Sequence, residues 1–379
     1  MKGKQGLVCM GLLLVLSSCS CHTGKQITAS GLQRKDFQTE VNGQHTDLFT
    51  LSNKQGMEVC ITNYGARVVS ILVPDRNGKR EDVVCGFSTI TEYMEQRQNF
   101  GSTVGRYIGR ILNARFTLDG VEYKLVPNNG KSGHISHGGN PGFADRIWKV
   151  EQADTHRVRL SYLSPDGENG FPGNLKVTLV YSLGEDDNAL DLTYEATTDA
   201  PTVLNLSHHS FFNISGNFTK SVEDQQLWVD ADRFTPYDDK KCVTGEYLPV
   251  AGTPLDFRMP HAIGECIDAD HPQLKVVNGY DHTWELNTKG DDTRPAAWVY
   301  DPASGRKMEI FTTEPGMQIY TGNGLKGKMT GKRGIAYPFR SAVCFETMHF
   351  QDSPNQPGFP STVLRPGEVF RSHTVYKFE

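Results

Sequence analysis

The sequence lacks any block of lysine and arginine. Its 39 Lys and Arg residues are scattered along 379 positions and are outnumbered by 44 Asp and Glu residues, which gives a formal net charge of -5 at pH 7. A nucleic-acid-binding surface needs clustered positive charge, so we expect no nucleic-acid partner. With 37% hydrophobic and 22% charged residues, the composition predicts a globular chain with enough apolar material for a core.

Long apolar runs are also absent, and the N-terminal run LVCMGLLLVL (7–16) is too short to span a bilayer. It follows the basic start MKGK and ends in LSSC (16–19), which resembles the bacterial lipobox, where cleavage precedes a cysteine that receives lipid. We therefore predict a signal peptide over 1–18, lipidation at Cys19, a tether over 19–35 and a globular domain over 36–379. The domain would lie in the cell envelope, anchored to a bacterial membrane and facing the periplasm. The alternative is an ordinary secretory signal with an incidental cysteine.

Cysteine spacing matches no metal site. After loss of Cys9 and use of Cys19, the remaining cysteines are Cys21, Cys60, Cys85, Cys242, Cys266 and Cys344. Their even number permits disulfides, but Cys60, Cys85 and Cys344 lie in apolar runs that favour buried free thiols. Neither HExxH nor GxxxxGK[ST] occurs, so we expect no metal and no phosphate-binding loop.

Convincing amphipathic helical windows are missing as well. Short alternating or β-rich runs such as RVRLSYL, LKVTLVYSL and ALDLTYEATT are separated by turn pairs such as Asn77-Gly78 and Asp119-Gly120. The pattern predicts an all-β, predominantly antiparallel chain. The length fits two β domains or one enlarged sandwich, and the absence of a Pro/Gly/Ser-rich linker favours one.

Two adjacent histidines occur in VLNLSHHSFFNISG (203–216). Because successive strand residues face opposite sides, the stretch divides into a polar row and an apolar row. The polar row contains Asn205, Ser207 and His209, and the apolar row contains Leu204, Leu206, His208 and Phe212. His208 is thus predicted to be a core or wall residue, whereas His209 must face water or a polar cleft, although a structural histidine there is the common alternative.

One carboxylate, Glu346, lies in the apolar stretch SAVCFETMHF. Alternation places it on the face of Ala342, Cys344 and Met348, where partial desolvation should raise its pKa. A carboxylate of that kind is a usable general base near neutral pH. The alternative is an exposed glutamate on an edge strand.

Further polar candidates lie near glycines and turns. His134 and His137 precede Gly138-Gly139; their spacing could suggest a metal, but no third ligand follows, and a hydrogen-bonding histidine at a pocket rim is favoured. The other stretches are GRYIGRI with Arg106 and Arg110, NGYDHTWEL with Asp281, and EPGMQIYTGN with Gln318 and Tyr320. Arginine suits gripping of oxygens, although a turn aspartate or a structural hairpin is an equally ordinary interpretation.

Taken in order, these stretches resemble the aldose 1-epimerase (galactose mutarotase) family. The matching motifs are GRYIGRI, SHGG, VLNLSHHSFFNISG, VDADRFTPYDDKKCVTGEYLPVAGTPLDFR, NGYDHTWEL, EPGMQIYTGN and CFETMHFQDSPNQPGFPS. The resemblance implies a large antiparallel β-sandwich of the galactose mutarotase type, no cofactor, and interconversion of the α and β anomers of free aldoses such as galactose and glucose. By motif, it implies His209 as general acid and Glu346 as general base, with substrate-binding roles for Arg110, His137, Asp281 and Gln318.

Two positions depart from the family pattern. Gly109 stands where many members have Asn before the arginine, and His208 stands where they usually have Asn before the catalytic histidine. Both departures bear on contacts to sugar hydroxyls.

Other function classes remain open from the residues. A non-catalytic sugar-binding lipoprotein would share the fold but would not need Glu346 opposite a histidine. A glycoside hydrolase could use Asp281 with Glu346 and would release reducing ends. A hexose-phosphate 1-epimerase would need a cationic pocket, and Arg110 is the one arginine among the residues assigned to sugar binding.

Overall fold

Residues 26–379 are described by the computed structural model, and strands dominate this region. The strands are β1 Glu40–Val41, β2 Gln44–His45, β3 Leu48–Ser52, β4 Glu58–Thr62, β5 Arg67–Pro74, β6 Arg80–Asp82, β7 Ser102–Val104, β8 Arg110–Ile111, β9 Arg115–Leu118, β10 Val121–Lys124, β11 Ile135–Ser136, β12 Lys149–Ala153, β13 Arg157–Ser164, β14 Leu175–Leu183, β15 Ala189–Thr198, β16 Thr202–Val203, β17 Ser207–His209, β18 Phe211–Phe212, β19 Gln226–Val229, β20 Arg233–Thr235, β21 Leu248–Pro249, β22 His261–Ala262, β23 Asp281–Glu285, β24 Ala297–Tyr300, β25 Lys307–Thr312, β26 Gly316–Tyr320, β27 Val343–Met348, β28 Val363–Leu364 and β29 Phe370–Phe378.

Helices are short. The α-helices are α1 Ile90–Gln96 and α2 Pro272–Val277, and the 3-10 helices are Arg34–Phe37, Leu112–Ala114, Gly130–Ser132, Phe143–Asp145, Glu168–Gly170, Ile263–Glu265, Lys332–Gly334 and Ser353–Asn355. Helix α1 begins at a capping box, in which Thr89 and Glu92 each accept a hydrogen bond from the other's backbone N–H. Within residues 26–379, no helix has the length and apolarity needed to cross a bilayer.

Two large antiparallel sheets form the sandwich. The nine-stranded sheet has the order β12-β13-β14-β15-β29-β25-β24-β19-β22, and the six-stranded sheet has the order β18-β27-β26-β23-β20-β21. A four-stranded sheet, β3-β4-β5-β6, and several two-stranded pairs complete it. Strand β14 alternates buried and more exposed side chains, as expected for a sheet with one face on the core. The predicted antiparallel β-sandwich is confirmed.

The core lies between the two large sheets. Leu179 of β14 belongs to the same buried cluster as Trp284, Ile319 and Phe345 of the six-stranded sheet. Because side chains alternate along a strand, their neighbours in β23, β26 and β27 point to the other face of that sheet. That second face carries polar side chains.

Part of the predicted tether over 19–35 lies within the described residues and packs on the domain. Ile27 pairs with Gln33, and the backbone N–H groups of Ala29 and Ser30 donate to the Glu58 carboxylate at 3.0 and 3.1 Å. These backbone bonds hold a polar, patternless segment against β4, so the folded region begins before residue 36. The predicted signal peptide, Cys19 and Cys21 lie outside the described residues.

All five cysteines in residues 26–379 are free thiols. Cys60, Cys85 and Cys344 are buried, as the apolar runs around them predicted. Burial raises the pKa of the Cys60 thiol to about 12 and that of Cys85 well above its ordinary value. These thiols therefore stay protonated near neutral pH.

Candidate active site

A cavity of about 250 Å³ opens on the polar face of the six-stranded sheet. It is lined by Gln98, Asn99, Gly109, Arg110, Ser136, His137, His209, Phe211, Asp281, Gln318, Tyr320, Glu346, Met348 and Gln351. One wall comes from β23, β26 and β27, and the opposite wall comes from β8, β11 and the segment after β11. All six residues predicted to bind substrate or catalyse line this one cavity.

Strand register brings the polar residues of the sheet wall together. Thr283 of β23 pairs with Gln318 of β26, which pairs with Glu346 of β27. The side chains of one such row lie on the same face, a few ångströms apart. The adjacent row places Asp281 opposite Tyr320 in the same way.

His209 and Glu346 face each other across the cavity floor. Nε2 of His209 lies 3.4 Å from Oε1 of Glu346, and the two residues are 6% and 3% exposed. A substrate placed against them would exclude the remaining water. The pair can therefore exchange protons with a ligand within hydrogen-bond reach.

Burial shifts the pKa values of Glu346 and His209 in opposite directions. It raises the pKa of the Glu346 carboxyl well above its ordinary value, and the nearby Asp281 carboxylate raises it further. It lowers the pKa of the His209 imidazole well below its ordinary value, helped by the neighbouring His137. Both pKa shifts favour uncharged side chains. Over a broad pH range Glu346 is therefore a protonated carboxyl and His209 an uncharged imidazole, and the pair has one proton to exchange.

Neighbours on both sides orient the His209 ring. The Sγ of Cys344 lies 3.6 Å from Nδ1, and burial keeps the pKa of this thiol raised, so the sulfur is a protonated thiol. The other ring nitrogen, Nε2, faces Glu346. Phe211 stacks on the ring with centroids 5.1 Å apart and planes at 17°.

His208 points to the other side of the strand, as the alternation predicted. Its Nε2 lies 2.6 Å from Ser210 Oγ, and its ring contacts the rings of Tyr181 and Tyr376 in the core. Burial lowers its pKa to about 3, so it is neutral. His208 supports the wall behind the cavity.

The opposite wall is held by a tight backbone arrangement around His137. His137 has a φ of 53°, and its N–H donates to Gly109 O at 2.9 Å while its Nδ1 accepts from the Gly109 N–H at 3.4 Å. Gly138 follows with a φ of 78°, and a Cβ there would lie 1.9 Å from Gly105 O, so no larger residue fits. Burial lowers the pKa of His137 to about 4, which leaves a neutral ring with Nε2–H free to donate into the cavity.

Asp281 and Gln318 form a fixed polar pair. Gln318 Nε2 donates to Asp281 Oδ1 at 2.6 Å, and Gln318 Oε1 accepts from the Thr283 hydroxyl at 2.5 Å. Burial raises the pKa of Asp281, while the Arg110 guanidinium and the Gln318 bond counter part of that rise. Together with Arg110 they present donors and acceptors to a polyhydroxylated ligand.

The structure separates the remaining candidates from the cavity. Arg106 is buried and donates to the carbonyls of Pro172, Gly173 and Ser164, so it is structural. His134 accepts the Asn113 N–H at Nδ1 and meets Cys242 Sγ at 3.3 Å from Nε2. His134 and His137 therefore point at different partners.

Sequence reasoning missed four polar lining residues, Gln98, Asn99, Ser136 and Gln351. Gln98 and Asn99 follow α1, and Gln351 lies between β27 and the 3-10 helix Ser353–Asn355. Loop residues have no periodicity that assigns them to a face. The one available signal for Gln351 was Gly109, whose missing side chain leaves space in the cavity wall.

Among the described residues, one group has the donors and spacing for a metal ion. The ligand atoms of His209, Cys344 and Glu346 lie within 4.8 Å of one another. Imidazole and thiolate suit soft divalent cations, but the Cys344 thiol is held protonated by its burial. The arrangement fits proton transfer better than metal binding.

The chain is similar in sequence and in fold to several known proteins. The chain is 39% identical over 330 residues to a galactose mutarotase from Sus scrofa, covering 87% of this chain and 93% of that protein. It is 36% identical over 340 residues to an aldose 1-epimerase from Escherichia coli K12, covering 89% and 96%. An aldose epimerase homologue from C. elegans superposes with a TM-score of 0.81 at 31% identity, covering 88% and 99%. The family model for aldose 1-epimerase matches residues 47–377, and the chain belongs to this family.

Proposed function

We propose that the cavity binds the ring of a free aldose and that His209 and Glu346 together catalyse exchange of its α and β anomers. The substrates are aldohexoses such as galactose and glucose, in line with the relatives named galactose mutarotase and aldose 1-epimerase. The observation that carries the proposal is the buried imidazole–carboxyl pair, 3.4 Å apart at the cavity floor.

Anomer exchange needs two proton transfers at neighbouring oxygens. The Glu346 carboxylate takes the proton of the C1 hydroxyl while His209 Nε2–H protonates the ring oxygen, and the bond between C1 and the ring oxygen breaks to give the open aldehyde. Rotation about C1–C2 presents the other face. On closure, His209 takes the proton back and Glu346 returns its proton to the carbonyl oxygen.

The number of exchangeable protons on His209 and Glu346 suits this mechanism. The neutral form, with the proton on Glu346, and the ionic form, with the proton on His209, differ only in where one proton lies. The ionic form is the one that reacts, and a polar sugar beside both groups stabilises it. No electrons are exchanged and both protons return, so we expect no cofactor.

The other four residues hold the sugar. Arg110 and the neutral Nε2–H of His137 donate to its hydroxyls from one wall, and Asp281 and Gln318 bind hydroxyls from the other. This polar frame fixes C1 and the ring oxygen against the pair, which is worth several kcal/mol of the barrier.

Charge argues against a phosphorylated substrate. Arg110 is the one cationic side chain among the described residues that line the cavity. A dianionic phosphate would also lie near the Asp281 carboxylate, which repels it. A free sugar has no such penalty.

Polarimetry with freshly dissolved α-galactose, α-glucose and α-xylose tests the activity. Glu346→Gln and His209→Asn should each lower kcat by roughly 10²–10⁴-fold with little change in galactose affinity, because each removes one proton transfer. Exhaustive chelation should leave the rate unchanged. Wild-type rates in both variants would overturn the assigned pair; galactose binding without faster mutarotation would favour a sugar-binding protein, and release of reducing ends from a glycoside would favour a hydrolase.

We further propose that the enzyme works in the bacterial cell envelope, anchored by lipid at Cys19 and facing the periplasm. The support is the sequence itself, with a basic start, a short apolar run and LSSC at residues 16–19. Free aldoses that enter the envelope would then meet the enzyme before uptake.

A further inference from the structure

Gly109 leaves a gap that another residue fills. Its φ is 76°, and a Cβ built there would lie 2.7 Å from Cγ and 3.2 Å from Cδ of Gln351. Contacts below 3.0 Å are not tolerated, so positions 109 and 351 cannot both carry a side chain in their present places. Gln351 occupies the volume that a residue at 109 would use.

The Gln351 amide is oriented by a directional chain of hydrogen bonds. The Asp281 carboxylate only accepts, which turns Gln318 Nε2 toward it and Gln318 Oε1 toward Gln351. At the other end, Arg110 only donates, from its backbone N–H at 3.3 Å and from Nη1 at 3.4 Å, which fixes Gln351 Oε1. Amide flipping would place donors against donors, so one orientation holds.

Only one bond of Gln351 is short. Nε2 donates to the Tyr237 hydroxyl at 2.7 Å, whereas its bonds to Gln318 and Arg110 measure 3.3 to 3.4 Å. Long bonds of this kind are weak and are readily exchanged for a better-placed partner. The side chain lines the cavity and is 4% exposed, so a ligand hydroxyl is the partner at hand.

We propose that Gln351 is a sugar-binding residue that sets specificity, supplying from the loop after β27 the polar contact that position 109 cannot supply. Its Oε1 accepts from one hydroxyl of the bound aldose and replaces the long contact to Arg110, while Tyr237 keeps the amide in place. Gly109 is the condition for this arrangement, because any side chain there displaces Gln351. The inference rests on the proposed anomer exchange at the same cavity.

The test measures KM and kcat for galactose and for its 2-, 3-, 4- and 6-deoxy analogues. Gln351→Ala should raise the KM for galactose about tenfold, equivalent to about 1.4 kcal/mol, with a smaller change in kcat. For the one analogue that lacks the contacted hydroxyl, wild type and variant should have equal KM. Gln351→Met keeps the side-chain volume and removes the amide, so it should raise the KM for galactose as Gln351→Ala does. It replaces the alanine variant if that variant is unstable.

Controls separate contact from structure. Gln356→Ala makes the same substitution in the same loop but outside the cavity, where Gln356 bonds Asp352, and should leave every KM unchanged. Gly109→Asn should abolish most activity alone and recover it when combined with Gln351→Ala. An equal KM increase for all analogues, no increase, or no recovery in the double variant would overturn the inference.

Failure of the proposed function is distinguishable from failure of this inference. If the wild type accelerates mutarotation of no aldose, both fall. If the wild type is active and the Gln351 variants match it, only the role of Gln351 falls.

Discussion

Two opposite charges flank the Glu346 carboxyl. The Asp281 carboxylate raises the pKa of Glu346, and the Arg110 guanidinium lowers it, on top of the larger rise caused by burial. In the proposed mechanism the pair must hold one proton, and loss of that proton from Glu346 removes the acid. The alkaline limit of activity therefore reports the apparent pKa at which the pair loses this proton from Glu346.

Replacing either charge should move that limit in a known direction. Asp281→Asn removes the charge that raises the pKa of Glu346, so the alkaline limb of the kcat profile should move to lower pH by roughly 1 unit. Arg110→Met removes the charge that lowers it, so the limb should move to higher pH. Both profiles are measured at saturating galactose, because both variants weaken binding. Limbs that move together, or not at all, would contradict the assignment of the limb to Glu346.

Single residues differ in how far the sequence predicts them. Period-two alternation separated His209 from His208 and placed Glu346 beside Cys344, because in a strand the face follows from position alone. Gln351 follows the end of β27, where that rule stops. Its place in the cavity depends on Gly109, which lies more than two hundred residues away, and only the fold brings them together.

At the scale of elements, His373 joins β29 to its surroundings. Its Nε2 lies 3.0 Å from Asp191 of β15, and its Nδ1 lies 2.6 Å from Asp292 in the loop before β24. The Asp191 bond is the larger cause of a pKa raised to about 8, with Asp292 adding to it. Protonated His373 is thus a charged clamp between two strands and a loop.

The clamp should make stability depend on pH. Because the folded pKa exceeds the ordinary value of 6.5, its contribution is fully present below pH 6.5 and is lost as pH rises through about 8. With a side chain that is 32% exposed, solvent screening reduces the contribution to about 1 kcal/mol. His373→Asn should therefore lower the free energy of unfolding at pH 6 and change it little at pH 9, as measured by urea denaturation.

The control for this prediction is His45→Asn. His45 is 79% exposed and lies in the short hairpin of β1 and β2, so its replacement should change the free energy of unfolding little at either pH. A His373→Asn effect that is equal at pH 6 and pH 9 would show that the residue acts through packing rather than charge.

The positions of the strands were more predictable from the sequence than the pairing between strands. Alternation and turn pairs identified β13, β14 and β15, which pair with their neighbours in sequence. The pairing of β15 with β29, and of β17 with β7, joins segments that are distant in sequence. Local patterns contain no information on such pairs, because register there is decided by the packing of the whole core.

On the scale of the whole molecule, one face of the six-stranded sheet packs in the core and the other face lines the cavity. Trp284, Ile319 and Phe345 bury one face of the six-stranded sheet in the core, and Gln318 and Glu346 lie on the other face. The core therefore fixes the backbone that carries the polar residues. The buried face thus supports the strand that places Glu346 3.4 Å from His209.

The position of the folded region sets how the whole molecule would sit on a membrane. Since Ile27 is paired within the described domain, cleavage before Cys19 would leave at most residues 19–25 between the proposed lipid and that domain. Seven residues span at most roughly 25 Å when fully extended. The domain would thus be held within a few tens of ångströms of the lipid surface.

Substitution of single cysteines tests the anchor. Wild type expressed in a bacterium should fractionate with membranes and incorporate labelled palmitate, because lipidation requires the thiol at the cleavage site. Cys19→Ala should lose both properties, whereas Cys21→Ala, two residues further on, should keep both and serves as the matched control. Mutarotation rates should be equal in all three, since the described residues that line the cavity all lie between positions 98 and 351. A wild type recovered in the soluble fraction without lipid, or equal loss of anchoring in both variants, would mean that LSSC is not a lipidation signal in this chain.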